Sequence, residues 1–182
     1  PDPARRIIID PLGKKAIQPA SLDVRLGGPY LREFDTPPGG IIRPSDPTTK
    51  RSRKVKFGPN SPVYFLRPGE AVLGATHERI AIPDDIVAKL EGKSSLARDG
   101  LAVHITAGIV DPGWDGHLTF EFVNLVRDPI QMDFKMYCAQ LLFALLTSPA
   151  ERPYGHPELS SKYQGDAGPQ PSRYHLNSGS NS

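Results

Sequence analysis

The chain has 182 residues, 38% hydrophobic and 23% charged, with a formal net charge of +2. That length fits one domain with a sizeable core, and the charge is too small to argue for nucleic acid or an anionic membrane as the main partner. One cysteine, Cys138, excludes an intramolecular disulfide and suits a reducing compartment. Without a signal peptide or an apolar span of about eighteen residues, a cytoplasmic location is expected. The opening "PDPARR" lacks a Met, so a natural N-terminal segment is expected to be missing.

Twenty prolines and 17 glycines punctuate the chain every few residues. Between them run short segments of period-two alternation, which predict a mainly β sandwich or barrel. "SLDVRL" (21–26) sets Leu22, Val24 and Leu26 against Ser21, Asp23 and Arg25. The basic run Lys50–Lys56 follows a Pro/Gly/Thr-rich stretch and reads as a solvated loop and strand edge. Further strands are expected at 63–66, 71–82, 86–90, 101–105, 117–125 and 139–146. No amphipathic segment is long enough for a major helix, and there is no internal repeat. The tail "HLNSGSNS" is polar and expected to be disordered.

Three stretches carry chemistry. "EGKSSLAR" (91–98) fails the P-loop spacing, because Val87 stands where the first glycine should be. Ser94 or Ser95 is expected to cap a short helical turn, with Lys93 and Arg98 adding positive charge; the bland alternative is a capped turn with solvated charges. In "HLTFEFVNL" Leu118, Phe120 and Phe122 share one face, which puts Glu121 on the other with Thr119 and Val123. Such a glutamate is ordinarily just solvated; it matters if its face looks into a cleft or a subunit interface. "TAGIVDPGWDG" (106–116) contains the turn Asp111-Pro112-Gly113. Trp114 beside it either plugs the core or stacks on a ligand. The Pro/Gly-rich segment 151–172 reads as a disordered tail or as a lid closing over an anion, with Tyr154, Lys162 and Gln164 as working groups.

"ASLDVRLG", "EGKSSLAR", "TAGIVDPGWDGHLTFEF", "KMYCAQLLF" and "RPYG…SKYQG…GPQPS", in that order, closely resemble the dCTP deaminase branch of the dUTPase superfamily from about Gln18 to Ser172. The resemblance implies a distorted jelly-roll-like β-barrel over residues 1–152. Residues 153–182 would form a C-terminal lid segment and flexible tail of the same domain. It also implies a homotrimer with active sites between subunits. Carried over by position, Glu121 would be the general base and acid that takes a proton from the water attacking cytosine C4. Ser94, Arg98 and the Ala107 carbonyl would hold that water and tune the glutamate. Lys93, Ser95 and Arg98, with Leu96 and Ala97 between them, would form the phosphate loop. Asp111 would accept the deoxyribose 3′-OH, and Trp114 would lie against the sugar. Thr119, Phe120, Gln140, Tyr154, Lys162 and Gln164 would supply further nucleotide contacts. Asp166 departs from the pattern, since the family carries an amide side chain there; Gln164 is the candidate substitute.

Zinc deaminases need H-x-E followed by P-C-x-x-C. "HPE" (156–158) meets the first half, but one cysteine cannot supply the second. No zinc is therefore expected, and Mg²⁺ is expected only through the nucleotide triphosphate. Forms that stop at dUTP tend to carry histidine and arginine after "TA", whereas this chain has Gly108 and Ile109. Ala107 and Gly108 thus resemble the bifunctional forms that go on to dUMP and pyrophosphate, with dUTP and dTTP as related ligands. The alternatives are a deaminase that releases dUTP, a plain dUTPase, or a nucleotide-binding regulatory protein of the same fold. Neither nucleic acid nor a membrane is expected as a partner.

Overall fold

The computed structural model describes residues 6–35, 38–49 and 51–179. Thirteen strands are present among them: β1 (Ile8–Asp10), β2 (Leu22–Asp35), β3 (Arg51–Lys56), β4 (Val63–Leu66), β5 (Ala71–Thr76), β6 (Arg79–Ala81), β7 (Ile86–Gly92), β8 (Leu101–Ala102), β9 (Ile109–Val110), β10 (Asp115–Gly116), β11 (Thr119–Asn124), β12 (Ile130–Asp133) and β13 (Tyr137–Leu145). The one α-helix described, α1, is Ser94–Arg98. An antiparallel sheet of eight strands runs β8-β11-β5-β2-β13-β7-β9, with β3 paired to β2, and curls into a half-barrel. Two smaller sheets, β1-β6-β10 and β12-β4, complete the wall. No helix among the described residues is long and apolar enough to cross a membrane.

The mainly β reading holds, but several boundaries move. β2 extends to Asp35, well past Leu26, and serves β13 with its first half and β3 with its second. Its pairing with β5 shifts register between Gly27 and Arg32. The bulge needs glycine twice. Gly28 has φ 99, and a Cβ on Gly27 would stand 2.4 Å from the His77 Cα.

The run 71–82 is not one strand. It breaks at His77-Glu78, and its halves join different sheets. Glu78 sits at the break: it is fully buried and accepts from the Arg25 backbone N–H at 2.9 Å and from Arg25 Nε at 2.6 Å. A buried carboxylate needs such partners, and Arg25 supplies them. "LAVHI" keeps only Leu101–Ala102 as strand. The basic run becomes β3, although Lys50 lies outside the described residues.

Alternation decides what is buried. Val24, Leu26, Phe120, Phe122 and Leu141 are fully buried, together with Cys138. Burying a Leu or Phe side chain contributes about 1.5–3 kcal/mol, so each of these large side chains is a substantial part of the barrel's stability. Residues 153–173 then return across one barrel face instead of trailing away. The Arg32 Nε donates to Pro169 O at 3.3 Å, and the His117 N–H donates to Asp166 O at 2.8 Å. The expected disorder of the tail does not hold for 175–179, because Tyr174–Gly179 forms a 3₁₀ turn; residues 180–182 lie outside the described residues.

Candidate active site

Strand β11 alternates between half-buried and buried positions, so Thr119, Glu121 and Val123 face away from Phe120 and Phe122. That face is not open solvent. It forms part of the wall of a cavity of about 430 Å³. Thr119 and Glu121 contribute from β11, and Leu73 contributes from β5. The 107–114 segment adds Ala107, Ile109, Val110, Asp111 and Trp114, and the returning C-terminal segment adds Tyr154, Tyr163, Asp166, Gln170 and Ser172.

Among the described residues Glu121 is held by a single neutral donor: the Ile105 N–H reaches its Oε2 at 3.3 Å. Burial pushes its carboxyl up from the ordinary value of 4.5, while the Ile105 N–H and the nearby His104 pull it back. The result is a carboxyl readier to take a proton than an exposed glutamate.

Trp114 plugs the core and lines the cavity at once. It is 8% exposed, packs against Tyr154 with ring centroids 5.4 Å apart, and leaves its Nε1 without a partner. The Tyr154 hydroxyl accepts from the Tyr163 N–H at 3.1 Å, which fastens the returning segment to itself.

Of the residues singled out from the sequence, Ala107, Asp111, Trp114, Thr119, Glu121 and Tyr154 meet in this cavity. The phosphate-loop candidates do not. Ser94, Ser95, Ala97 and Arg98 are exposed on α1, while Leu96 packs partly against the core. α1 leads into β8, which pairs with β11 at Val123 and Asn124, beyond the cavity-lining end of that strand. The expected cap also differs. Lys93 holds the N-cap position without a side-chain cap bond, and both serines lie inside the helix.

Other candidates have acquired partners. The Lys93 ammonium lies 2.6 Å from Asp23 Oδ2. Gln140 donates to Gly92 O at 3.4 Å, which places it beside the base of α1. Gln164, the candidate lid amide, has partners within its own chain: its Nε2 donates to Gly113 O at 2.9 Å and its Oε1 accepts from the Asp115 N–H at 3.3 Å. It pins the returning segment to the 111–116 turn. The Phe120 side chain is fully buried and leaves only its backbone for any ligand. Gly108 is buried, and its carbonyl accepts from the Leu90 N–H at 2.7 Å. Lys162 lines a second hollow with Ser160, Ser161 and Arg173.

The wall residues that the sequence did not mark as site candidates include Phe34, Leu73, Val110, Tyr163, Gln170 and Ser172. Tyr163 stood within "SKYQG", whose spacing was legible while its geometry was not. Phe34 carried no signal, because β2 was expected to end before it.

A family model described as dCTP deaminase-like matches residues 2–146. The protein "dCTP deaminase, dUMP-forming" of Beutenbergia cavernae is 47% identical over 94% of this chain and 88% of its own length. Its namesake from Methanothermobacter thermautotrophicus is 42% identical over 92% of this chain and 85% of its own length. Among solved structures, 2′-deoxycytidine 5′-triphosphate deaminase from Agrobacterium tumefaciens shares the fold with a TM-score of 0.57 at 21% identity. That match covers 76% of this chain, which spans 44% of the longer one. The family match, the relatives and the barrel with its glutamate-lined cavity agree: the chain belongs to the dCTP deaminase-like family.

Proposed function

We propose that the chain is a dUMP-forming dCTP deaminase. It adds water to dCTP to release ammonia and form dUTP, then adds a second water to give dUMP and pyrophosphate. The observation that carries this reading is Glu121, half-buried in a cavity wall with its carboxyl raised by desolvation. A carboxylate there takes the proton of a water attacking cytosine C4 and returns it to the departing ammonia. Asp111 receives the sugar hydroxyl, and Trp114 with Tyr154 presents an aromatic wall to the sugar. The Ala107 carbonyl accepts from the attacking water.

The exposed positions of Ser94 and Arg98 support a site shared between copies. α1 does not line its own chain's cavity, so in a homotrimer its hydroxyl and guanidinium would serve a neighbour's. Exposed Ile105 (62%) and Ile109 (63%) border the same region, as an intersubunit seam requires. Lys93, Ser95 and Arg98 would then meet the phosphates across that seam. Lys162 and Gln140 would complete the nucleotide contacts.

No three His, Cys, Asp or Glu side chains cluster as a cage among the described residues. A Mg²⁺ held on phosphate oxygens and water would neutralise the triphosphate charge. For the second step, Ile109 lines the cavity and Gly108 lies buried beside it, with the His104 ring as its side-chain neighbour.

Incubation with dCTP and Mg²⁺, followed by ammonia assay and nucleotide chromatography, tests the proposal. Ammonia, dUMP and pyrophosphate in equal amounts are expected. Accumulating dUTP would leave a deaminase alone, and no ammonia would remove the deaminase.

A further inference from the structure

Among the described residues, the wall of the cavity contains three carboxyl side chains, Asp111, Glu121 and Asp166, and no Lys, Arg or His. For a site read as binding a nucleoside triphosphate, that is an unfavourable balance, and the third carboxylate is the least explicable. Asp166 is 9% exposed, comes from the returning segment, and has no part in the proposed chemistry. Its carboxyl has one cationic partner, the Arg173 guanidinium, 3.4 Å from Oδ1.

Arg173 does more than neutralise. Its guanidinium donates to the Lys162 carbonyl and stacks 5.2 Å from the centroid of the Tyr163 ring. Its backbone N–H donates to the Tyr163 hydroxyl at 2.9 Å. One side chain thus ties together the start, middle and end of 162–173, and two of its three partners, Tyr163 and Asp166, are cavity wall. Burial raises the Asp166 carboxyl and Arg173 draws it down again, as a charge held by one close partner should be.

We infer that Arg173 is a positioning residue for the nucleotide cavity: it cancels the charge of Asp166 and holds Tyr163 and Asp166 in the wall, so that the wall receives the nucleoside part of a polyanionic ligand. The inference rests on the nucleotide reading above. Arg173 touches none of the reacting atoms in that reading, so its loss should appear in binding and not in turnover.

The opposite signs expected for the two partners supply the test. Arg173→Gln leaves a buried carboxylate facing the triphosphate-bearing ligand, and KM for dCTP should rise about tenfold with kcat within about twofold. Asp166→Asn removes the charge, keeps the shape and frees Arg173, and should lower KM about two- to threefold. In the double variant the Asn should recover most of the tenfold loss, and Arg173→Lys should recover part of it. A merely structural pair would behave otherwise: both single variants would raise KM, and the double variant would not recover. Either that pattern or an unchanged KM in Arg173→Gln overturns the inference. Should Arg173→Gln fail to fold, Asp166→Asn decides alone, since a raised KM there contradicts charge cancellation. Trp114, the chain's one tryptophan, lies in the same wall, so its emission reports a Kd for dCTP without turnover. A wild type that binds dCTP without deaminating it would refute the proposed activity, while the order of Kd values would still judge the role of Arg173.

Discussion

The backbone N–H of Ile105 donates to the Glu121 carboxylate at 3.3 Å, and among the described residues this is the one hydrogen bond that fixes the carboxyl in the cavity wall. A single neutral donor leaves the second carboxylate oxygen for a water or a ligand. It also compensates only part of the desolvation that raises the carboxyl. Orientation and basicity at Glu121 therefore come from different sources, the 103–107 segment and the burial of β11.

Glu121→Gln keeps this orientation and removes the basicity. Ammonia release from dCTP should fall by about 10²–10⁴-fold, the usual contribution of a positioned acid–base group. The affinity for dCTP, read from Trp114 emission, should stay within a few fold. Deamination at near wild-type rate would show that another group carries the proton.

The same substitution should change stability with pH in a defined direction. A carboxyl whose folded value is raised binds its proton more tightly when folded, so its favourable contribution is complete below the ordinary 4.5. It is lost as pH rises through the folded value, leaving a poorly solvated charge near neutrality. Glu121→Gln should thus melt higher than wild type at about pH 7, and the gap should close towards about pH 4. Thermal melts of both proteins at the two pH values decide this. A gap that widens on acidification would mean the carboxylate is stabilised by folding.

Gly108→His should disturb the Ala107–Gly108 step by contact and not by torsion. Gly108 does not occupy the left-handed region, but a Cβ there would lie 2.7 Å from the Leu90 carbonyl oxygen. Backbone must move, at about 1–3 kcal/mol. The displaced Leu90–Gly108 pairing carries the cavity-lining Ala107 and Ile109 with it. A lower melting temperature and a product mixture shifted from dUMP towards dUTP are expected. Unchanged product ratios at lowered stability would show that Gly108 serves packing alone.

Removing everything after Arg152 should unroof the cavity while leaving the barrel. The deletion loses the Tyr154 ring against Trp114, the Gln164 bonds to the 111–116 turn and the Asp166 carbonyl bond to His117. Trp114 emission should shift to the red, and Tm should drop by about 5–10 °C, a loss of a few kcal/mol. Far-UV circular dichroism should keep its β signature. Lys162→Ala should instead weaken dCTP binding with Tm unchanged, because the Lys162 carbonyl, and not its ammonium, holds Arg173. A truncated chain with native Trp114 emission would contradict the packing of the segment.

Alternation and punctuation are local properties, and they carried much of what this sequence determines by itself. Leu118, Phe120 and Phe122 against Thr119, Glu121 and Val123 fix the two faces of β11, since successive side chains on a strand must point to opposite sides. The order of motifs from "ASLDVRLG" to "GPQPS" fixed the family. What faces a strand is a non-local property, and no spacing encodes it. Only tertiary structure places Ala107, Asp111, Trp114 and Tyr154 around Glu121, drawn from loops and strands far apart in sequence. Only there does α1 prove to lie outside its own chain's cavity, Lys93 meet Asp23, and Gln164 spend its amide on Gly113 and Asp115. The break at Glu78 was hidden for the same reason: apolar alternation runs through 71–82, and the Arg25 that partners Glu78 stands on another strand. Buried charges choose their partners across the fold, so their demands become visible once the chain has closed on itself.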